Sequence, residues 1–242
     1  MKEKRNIKQA GFAVKTFPVP FSIEWDKENI IITSNISSKT SKEKILNSAF
    51  KFHSQGNILE AKKIYEYLIN QGHNDPSIFS NYATILKNLG NLKEAEKLTR
   101  KAIKLKPNFA IAYFNLGNIL TDLGDLEEAE KSIRKAIKFK PDYTDAYYNL
   151  GNILSNLGNH HEAEIFTRKA IELKPDFAEA HSNLGTILKG LGNLQGAEIS
   201  YRKAIELNPD YAIAYSNLGN TLKDLGDLQE AEISYCKAVE LK

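Results

Sequence analysis

The sequence predicts an all-α solenoid of antiparallel helix pairs, and three observations predict it. Asparagine recurs every 34 residues, at Asn47, Asn81, Asn115, Asn149, Asn183 and Asn217. Four of these sit in nearly the same words, FNLGNIL, YNLGNIL, SNLGTIL and SNLGNTL. A fixed period of this length marks stacked units, each of which buries its apolar face only against its neighbours. Within each period, apolar residues fall twice at helical spacing, with a glycine between the two runs.

Six units follow, at 42–75, 76–109, 110–143, 144–177, 178–211 and 212–242, the last one cut short. In unit 110–143, Tyr113, Leu116, Gly117, Leu120 and Leu123 form one apolar stripe, and Gly124 breaks the helix. Asp125 then starts a second helix as N-cap, with Glu128 three residues on, which reads as a capping box. The same box recurs as Asn57/Glu60, Asn91/Glu94, Asn159/Glu162 and Asp227/Glu230, and it fails where Gly196 follows Asn193. Ala129, Ile133 and Ala136 supply the packed face of the second helix, and Pro141 ends the unit. Gly117, Ala129 and Ala136 are small enough to let two helices approach closely. Phe109, Tyr143, Phe177 and Tyr211 are expected to pack between successive units. Glu96→Arg100, Glu130→Arg134, Glu164→Arg168 and Glu198→Arg202 are favourable i,i+4 pairs on an exposed outer face. In the last unit that arginine slot is Cys236.

Residues 1–41 do not repeat. They include the apolar, proline-containing TFPVPFSIEW and the linker-like TSNISSKTSK. The expectation is a basic, largely disordered arm, with a short extended segment docked on the first unit as the alternative. The chain's net charge of +3 resides there, and the array from residue 42 onward is neutral. A nucleic-acid footprint needs a basic stripe, and the neutral array offers none. No apolar run approaches the roughly 18 residues that span a bilayer. No apolar h-region follows the basic MKEKRNIKQA, so a cytoplasmic, membrane-free location is expected.

The pattern Tyr113-x2-Leu116-Gly117-x2-Leu120, then Ala129-x3-Ile133, Ala136 and Pro141, resembles the tetratricopeptide repeat. The resemblance covers residues 42–242 and implies a right-handed superhelix. The chain departs from the family at several slots. Tyr, His or Phe replaces the usual tryptophan, Leu or Phe52 replaces a tyrosine, and Ala49 and Ala83 replace the glycine. Thr99 and Thr167 occupy a slot that is usually large and apolar, so Leu98 and Phe166 are expected to take over the packing. The wording is most similar to the repeats of O-linked N-acetylglucosamine transferase, and to bacterial, cyanobacterial repeat proteins.

A helical turn of 100° per residue puts Asn115 and Asn118 opposite the apolar stripe, away from the core. The resemblance implies that this face lines a concave groove, where asparagines hold an extended peptide by its backbone. The matching peptide-binding candidates are Asn47, Asn81, Asn115, Asn118, Asn149, Asn152, Asn183, Asn217 and Asn220, continued by Asp122, Asn156 and Asp224. A primary amide suits that role because it both donates and accepts. The alternative is that each amide bonds only within the array. Ser80, Phe114, Tyr148, Ser182 and Ser216 would line the groove, and none is basic. Ile111, Asp145, Glu179 and Ile213 are equally unsuited to clamping a terminal carboxylate.

Catalytic, metal and cofactor sites find no support. His160 and His161 adjoin at a turn without ligand spacing, His181 takes a packing slot, and Cys236 has no histidine placed to activate it. The expectation is therefore a non-enzymatic scaffold that binds a protein or extended peptide. Replacing Asn115, Asn149 and Asn183 by alanine is expected to weaken that binding while helicity persists. The alternative is the recognition module of a glycosyltransferase or sulfotransferase whose catalytic domain lies outside this chain. The last unit lacks a polar cap. Ile233, Ala238 and Val239 are expected to be partly uncovered there, and self-association through that end is a further expectation.

Overall fold

In the computed structural model, the described residues are 39–241, with side chains from residue 43. The basic arm expected to be largely disordered, and the docked segment that is its alternative, lie outside them up to residue 38. Each unit folds as two helices. The first helices are α1 (Lys39–Ser54), α3 (Pro76–Asn88), α5 (Ala110–Leu123), α7 (Thr144–Asn156), α9 (Ala178–Gly190) and α11 (Ala212–Leu225). The second helices are α2 (Ile58–Asn70), α4 (Leu92–Leu105), α6 (Leu126–Phe139), α8 (His160–Leu173), α10 (Leu194–Leu207) and α12 (Leu228–Glu240). No strand occurs among the described residues. Helix α1 begins inside the stretch that reads as a linker.

Every helix packs on the next, and the backbones of successive first helices also approach one another, from α3·α5 to α9·α11. Successive second helices show no comparable approach among the described residues. The array therefore curves with the first helices on its inner side.

The close pairing within a unit rests on small residues. A Cβ added at Gly117 would stand 2.4 Å from Ile133 Cδ1, and one at Gly151 would stand 2.2 Å from Thr167 Oγ1. Ala129 and Ala136 are fully buried beside them. Thr99 and Thr167 stay fully buried, so neither slot is vacated. Leu98 joins the core, whereas Phe166 lies half-buried at its edge, stacked on Tyr147 at 6.1 Å between ring centroids. At the end of a unit the ring after the proline packs back on the same unit's first helix, Tyr143 on Phe114 at 4.7 Å and Phe177 on Tyr148 at 4.9 Å.

The turn inside each unit corrects the capping-box expectation. Gly124 takes a φ of 84°, a left-handed conformation that costs glycine little. That lets the Asp125 N–H donate back to the Leu120 carbonyl at 2.9 Å, which closes a Schellman cap. The backbone donor that a capping-box glutamate would accept from is thereby spent. Only half the box forms. Asp125 accepts from the Glu128 N–H at 3.2 Å and Asp227 from the Glu230 N–H at 3.1 Å. Asn57, Asn91 and Asn159 make no such bond, whereas Asn193 accepts from the Gly196 N–H at 2.9 Å. Three of the released glutamates turn to the preceding unit, while Glu94 bonds Lys97 of its own helix. Arg100 Nη2 donates to Glu128 at 2.8 Å, Arg134 Nη2 pairs with Glu162 at 2.7 Å, and Arg202 Nη2 donates to Glu230 at 2.7 Å.

The pairing in unit 110–143 is testable. Gly117→Ala lowers unfolding stability by about 1–3 kcal/mol through overpacking, and adding Ile133→Val recovers part of it, as read in urea titrations. Full additivity of the two changes would sink the explanation.

Buried phenols make a second prediction. Burial raises Tyr65, Tyr143 and Tyr201 above their ordinary 10.0, and pushes Tyr148 up to about 12. A raised native value leaves stability intact below the unfolded value and removes it as pH rises through the native one. Melting temperature falls from about pH 10 upward, in step with phenolate absorbance. A flat profile to pH 12 counts against it.

Candidate functional site

The asparagines lie on the inner face, as the helical phase requires, but the central ones are not open to solvent. Asn81 is fully buried, Asn115 and Asn118 are each 1% exposed, Asn183 is 3% and Asn149 is 5%. Asn47, Asn152 and Asn217 are half-buried, and Asn220 is exposed. The expectation that Asn115 and Asn118 stand clear of the core is thus corrected. The side of a first helix opposite its own partner is covered by the first helix of the adjoining unit.

Their amides bond across units. Asn115 Nδ2 donates to Ser80 Oγ at 3.1 Å and to Thr84 Oγ1 at 3.2 Å, which ties α5 to α3. Asn149 Nδ2 donates to Asn118 Oδ1 at 2.8 Å and ties α7 to α5. Asn183 Nδ2 reaches Thr167 Oγ1 of α8 at 3.4 Å. Asn220 differs, since its Oδ1 accepts from the Tyr235 hydroxyl of the same unit at 2.8 Å. Two functions remain unspent on α5: the Asn115 Oδ1 acceptor and the Asn118 Nδ2 donor are buried without a protein partner. Asn152 Oδ1 on α7 is in the same position.

The side chains flanking the ladder also differ from expectation. Ser80, Phe114 and Ser182 are buried, because Phe114 packs on Tyr143 and Ser80 bonds Asn115. Tyr148 and Ser216 are half-buried and reach the surface. Asp122 pairs with Lys87 at 2.9 Å and Asp224 with Lys189 at 2.8 Å, each bridging two first helices. These basic partners were not singled out in the sequence. The signal was available, since each lysine precedes by 35 residues the aspartate it meets. Asn156 is exposed.

No group of three or more His, Cys, Asp or Glu side chains could hold a metal ion among the described residues. His160 packs against Gly190, and His181 Nε2 lies 3.0 Å from the Pro175 carbonyl oxygen. Cys236 is a free, exposed thiol. No described helix is long and apolar enough to cross a membrane.

The amides therefore contribute to stability, and the ladder is graded in that contribution. Asn149→Ala leaves the buried Asn118 oxygen without its donor and costs about 1–3 kcal/mol. Asn217→Ala, at a half-buried position, costs less than about 0.5 kcal/mol. Equal losses in chemical denaturation would show that the cross-unit bond contributes nothing.

Profiles of the TPR repeat match residues 76–109, 98–131, 117–158, 144–177 and 176–242, and so run through five units without a gap. No protein of curated function matches the chain. Among solved structures it is similar to YrrB, described as a TPR protein with an unusual peptide-binding site. That match has 26% identity and a TM-score of 0.61 over 74% of this chain and 92% of the other. It is similar to MamA at 26% identity and a TM-score of 0.62, over 66% of this chain and 93% of the other. A tetratricopeptide repeat protein from Parabacteroides merdae shares the fold, at 20% identity and a TM-score of 0.70 over 84% of this chain and 80% of the other. The chain is a tetratricopeptide repeat protein, an all-α solenoid of the kind that serves as a protein-interaction scaffold.

Proposed function

We propose that the chain is a non-enzymatic scaffold that holds an extended peptide along its inner face by the asparagine ladder. One observation carries this reading. Asn115 Oδ1 and Asn118 Nδ2, an acceptor and a donor three residues apart on one helix, have no protein partner although both are buried. A buried amide function without a partner costs about 1–3 kcal/mol. A peptide N–H and C=O meet that need without regard to side chain. The peptide-binding site described for YrrB supports the same class of ligand.

The grip starts where amides are accessible. Asn152, Asn217 and Asn220 offer the first contacts, and Tyr148 and Ser216 add side-chain selectivity. The exposed free thiol of Cys236 fits a reducing, cytoplasmic setting.

Because the central amides also stabilise the array, the test uses the accessible ones. An Asn152→Ala, Asn217→Ala, Asn220→Ala triple variant retains its melting temperature within a few degrees. It loses at least about tenfold in affinity for peptides selected on the intact chain, measured by calorimetry. Undiminished affinity in that variant removes the ladder from the mechanism.

A further inference from the structure

The outer face carries a site that the groove does not use. Three of the four outer-face arginines reach a glutamate of the next unit, and Arg168 does not. Arg168 has no glutamate ahead of it, because residue 196 is glycine where Glu128, Glu162 and Glu230 stand in the other units. Its guanidinium folds back instead. Both Nε and Nη2 of Arg168 lie on the same Glu164 oxygen, at 2.9 and 2.8 Å. In the other three units Nε takes the i−4 glutamate and Nη2 reaches forward.

A surface pocket of about 490 Å³ lies there between α8, α9 and α10, and its counterpart two units earlier, about 440 Å³, keeps the Arg100–Glu128 tie, so the broken tie and not the hollow sets this one apart. Ile171, Leu184 and Ile199 supply apolar lining, and Arg168, Lys203 and His181 supply nitrogen. The other charged groups there are occupied within their own helices: Lys203 pairs with Glu206 and Glu172 with Lys169, each at 2.6 Å. His181 is turned to the Pro175 carbonyl. Arg168 is the cation at this pocket whose usual cross-unit partner is absent.

An apolar stripe runs past the same pocket. Ile165, Ile199 and Ile233 recur at the repeat period and are 64%, 69% and 62% exposed. The matching residues of the first three units are lysines, Lys63, Lys97 and Lys131. The exposure of Ile233 is therefore not an effect of the last unit lying uncovered, since Ile165 and Ile199 sit within flanked units and are as exposed. Aliphatic side chains in register on an otherwise charged face mark a contact surface.

We infer that this pocket is a docking site for an acidic segment of a partner protein. The segment's carboxylate takes the place at Arg168 that a glutamate at residue 196 would fill, and its aliphatic neighbours lie on Ile165 and Ile199. An arginine fork accepts a carboxylate with defined geometry, and the stripe supplies non-directional area beside it. A nucleic acid fits worse, because the flanking Glu164, Glu172 and Glu198 would repel a continuous polyanion.

The repeat itself supplies the test, since Gly196→Glu provides the missing carboxylate from within. The atoms nearest a Cβ at residue 196 are those of the Asn193 amide, which must swing aside. Asn57, Asn91 and Asn159 already stand free of their caps beside a glutamate at that slot. A phage-displayed random peptide library is selected on the full chain, and enriched peptides are synthesised and measured by fluorescence anisotropy. The expected motif is an acidic residue flanked by aliphatic ones. Gly196→Glu and Arg168→Ala each weaken its binding by about fivefold, the range of one exposed ion pair. A double Ile165→Lys, Ile199→Lys variant weakens it by about tenfold or more. Circular dichroism melts show that each variant is folded.

Four results overturn the proposal: enrichment of no acidic motif, affinities unmoved by Gly196→Glu and Arg168→Ala, equal displacement by a short oligonucleotide, or loss of the same peptides in the Asn152, Asn217 and Asn220 triple variant. The last result would transfer those peptides to the inner groove.

Discussion

A pair of short helices cannot bury its apolar face alone, and in this chain the remedy begins with how close the two helices come. Gly117 lies against Ile133 with no room for a methyl group, and Gly151 lies against Thr167 in the same way. That approach fixes the angle of each pair. The fixed angle puts Tyr143 over Phe114 and Phe177 over Tyr148, and Tyr143 shares its core cluster with Ala146 and Leu150 of the following unit. Curvature, groove and outer face all follow from repeating that step.

The inner and outer faces are then stitched by chemistry that differs in emphasis, since the inside adds neutral amide bonds to its two Lys–Asp pairs. On the inside, neutral amides and hydroxyls bond between first helices, from Asn115 to Ser80 and Thr84 and from Asn149 to Asn118. These groups are buried, where a neutral bond is cheaper to enclose than an ion pair. On the outside, arginine and glutamate meet in solvent, where each pair contributes little singly and gains from regular repetition. The ladder that suggests a ligand is at the same time a fastening.

Much of this was legible in the sequence. The period located every unit, and the glycine before each second helix located its turn. The burial of Asn115 and Asn118 was not legible, because a helical wheel describes one helix against its own partner. The covering surface came from a helix one period away. The capping boxes failed for a similar reason: the pattern gives Glu128 a role at Asp125, but the backbone donor there was already committed to Leu120. Once released, Glu128 met Arg100, a contact 28 residues away. Residue types and spacing reported the local options, and the stack decided among them. The missing glutamate at residue 196 was visible as a broken motif, but its meaning depended on knowing what the other glutamates hold.

The junction between the fourth and fifth units has a mechanical consequence. Its outer face lacks the arginine–glutamate tie. On its inner face Asn183 makes one long bond to α8 rather than a bond to α7. Packing of α8 on α9 is as close as at the junctions on either side, so what this junction has lost is polar fastening, and it resists bending mainly through its apolar contacts.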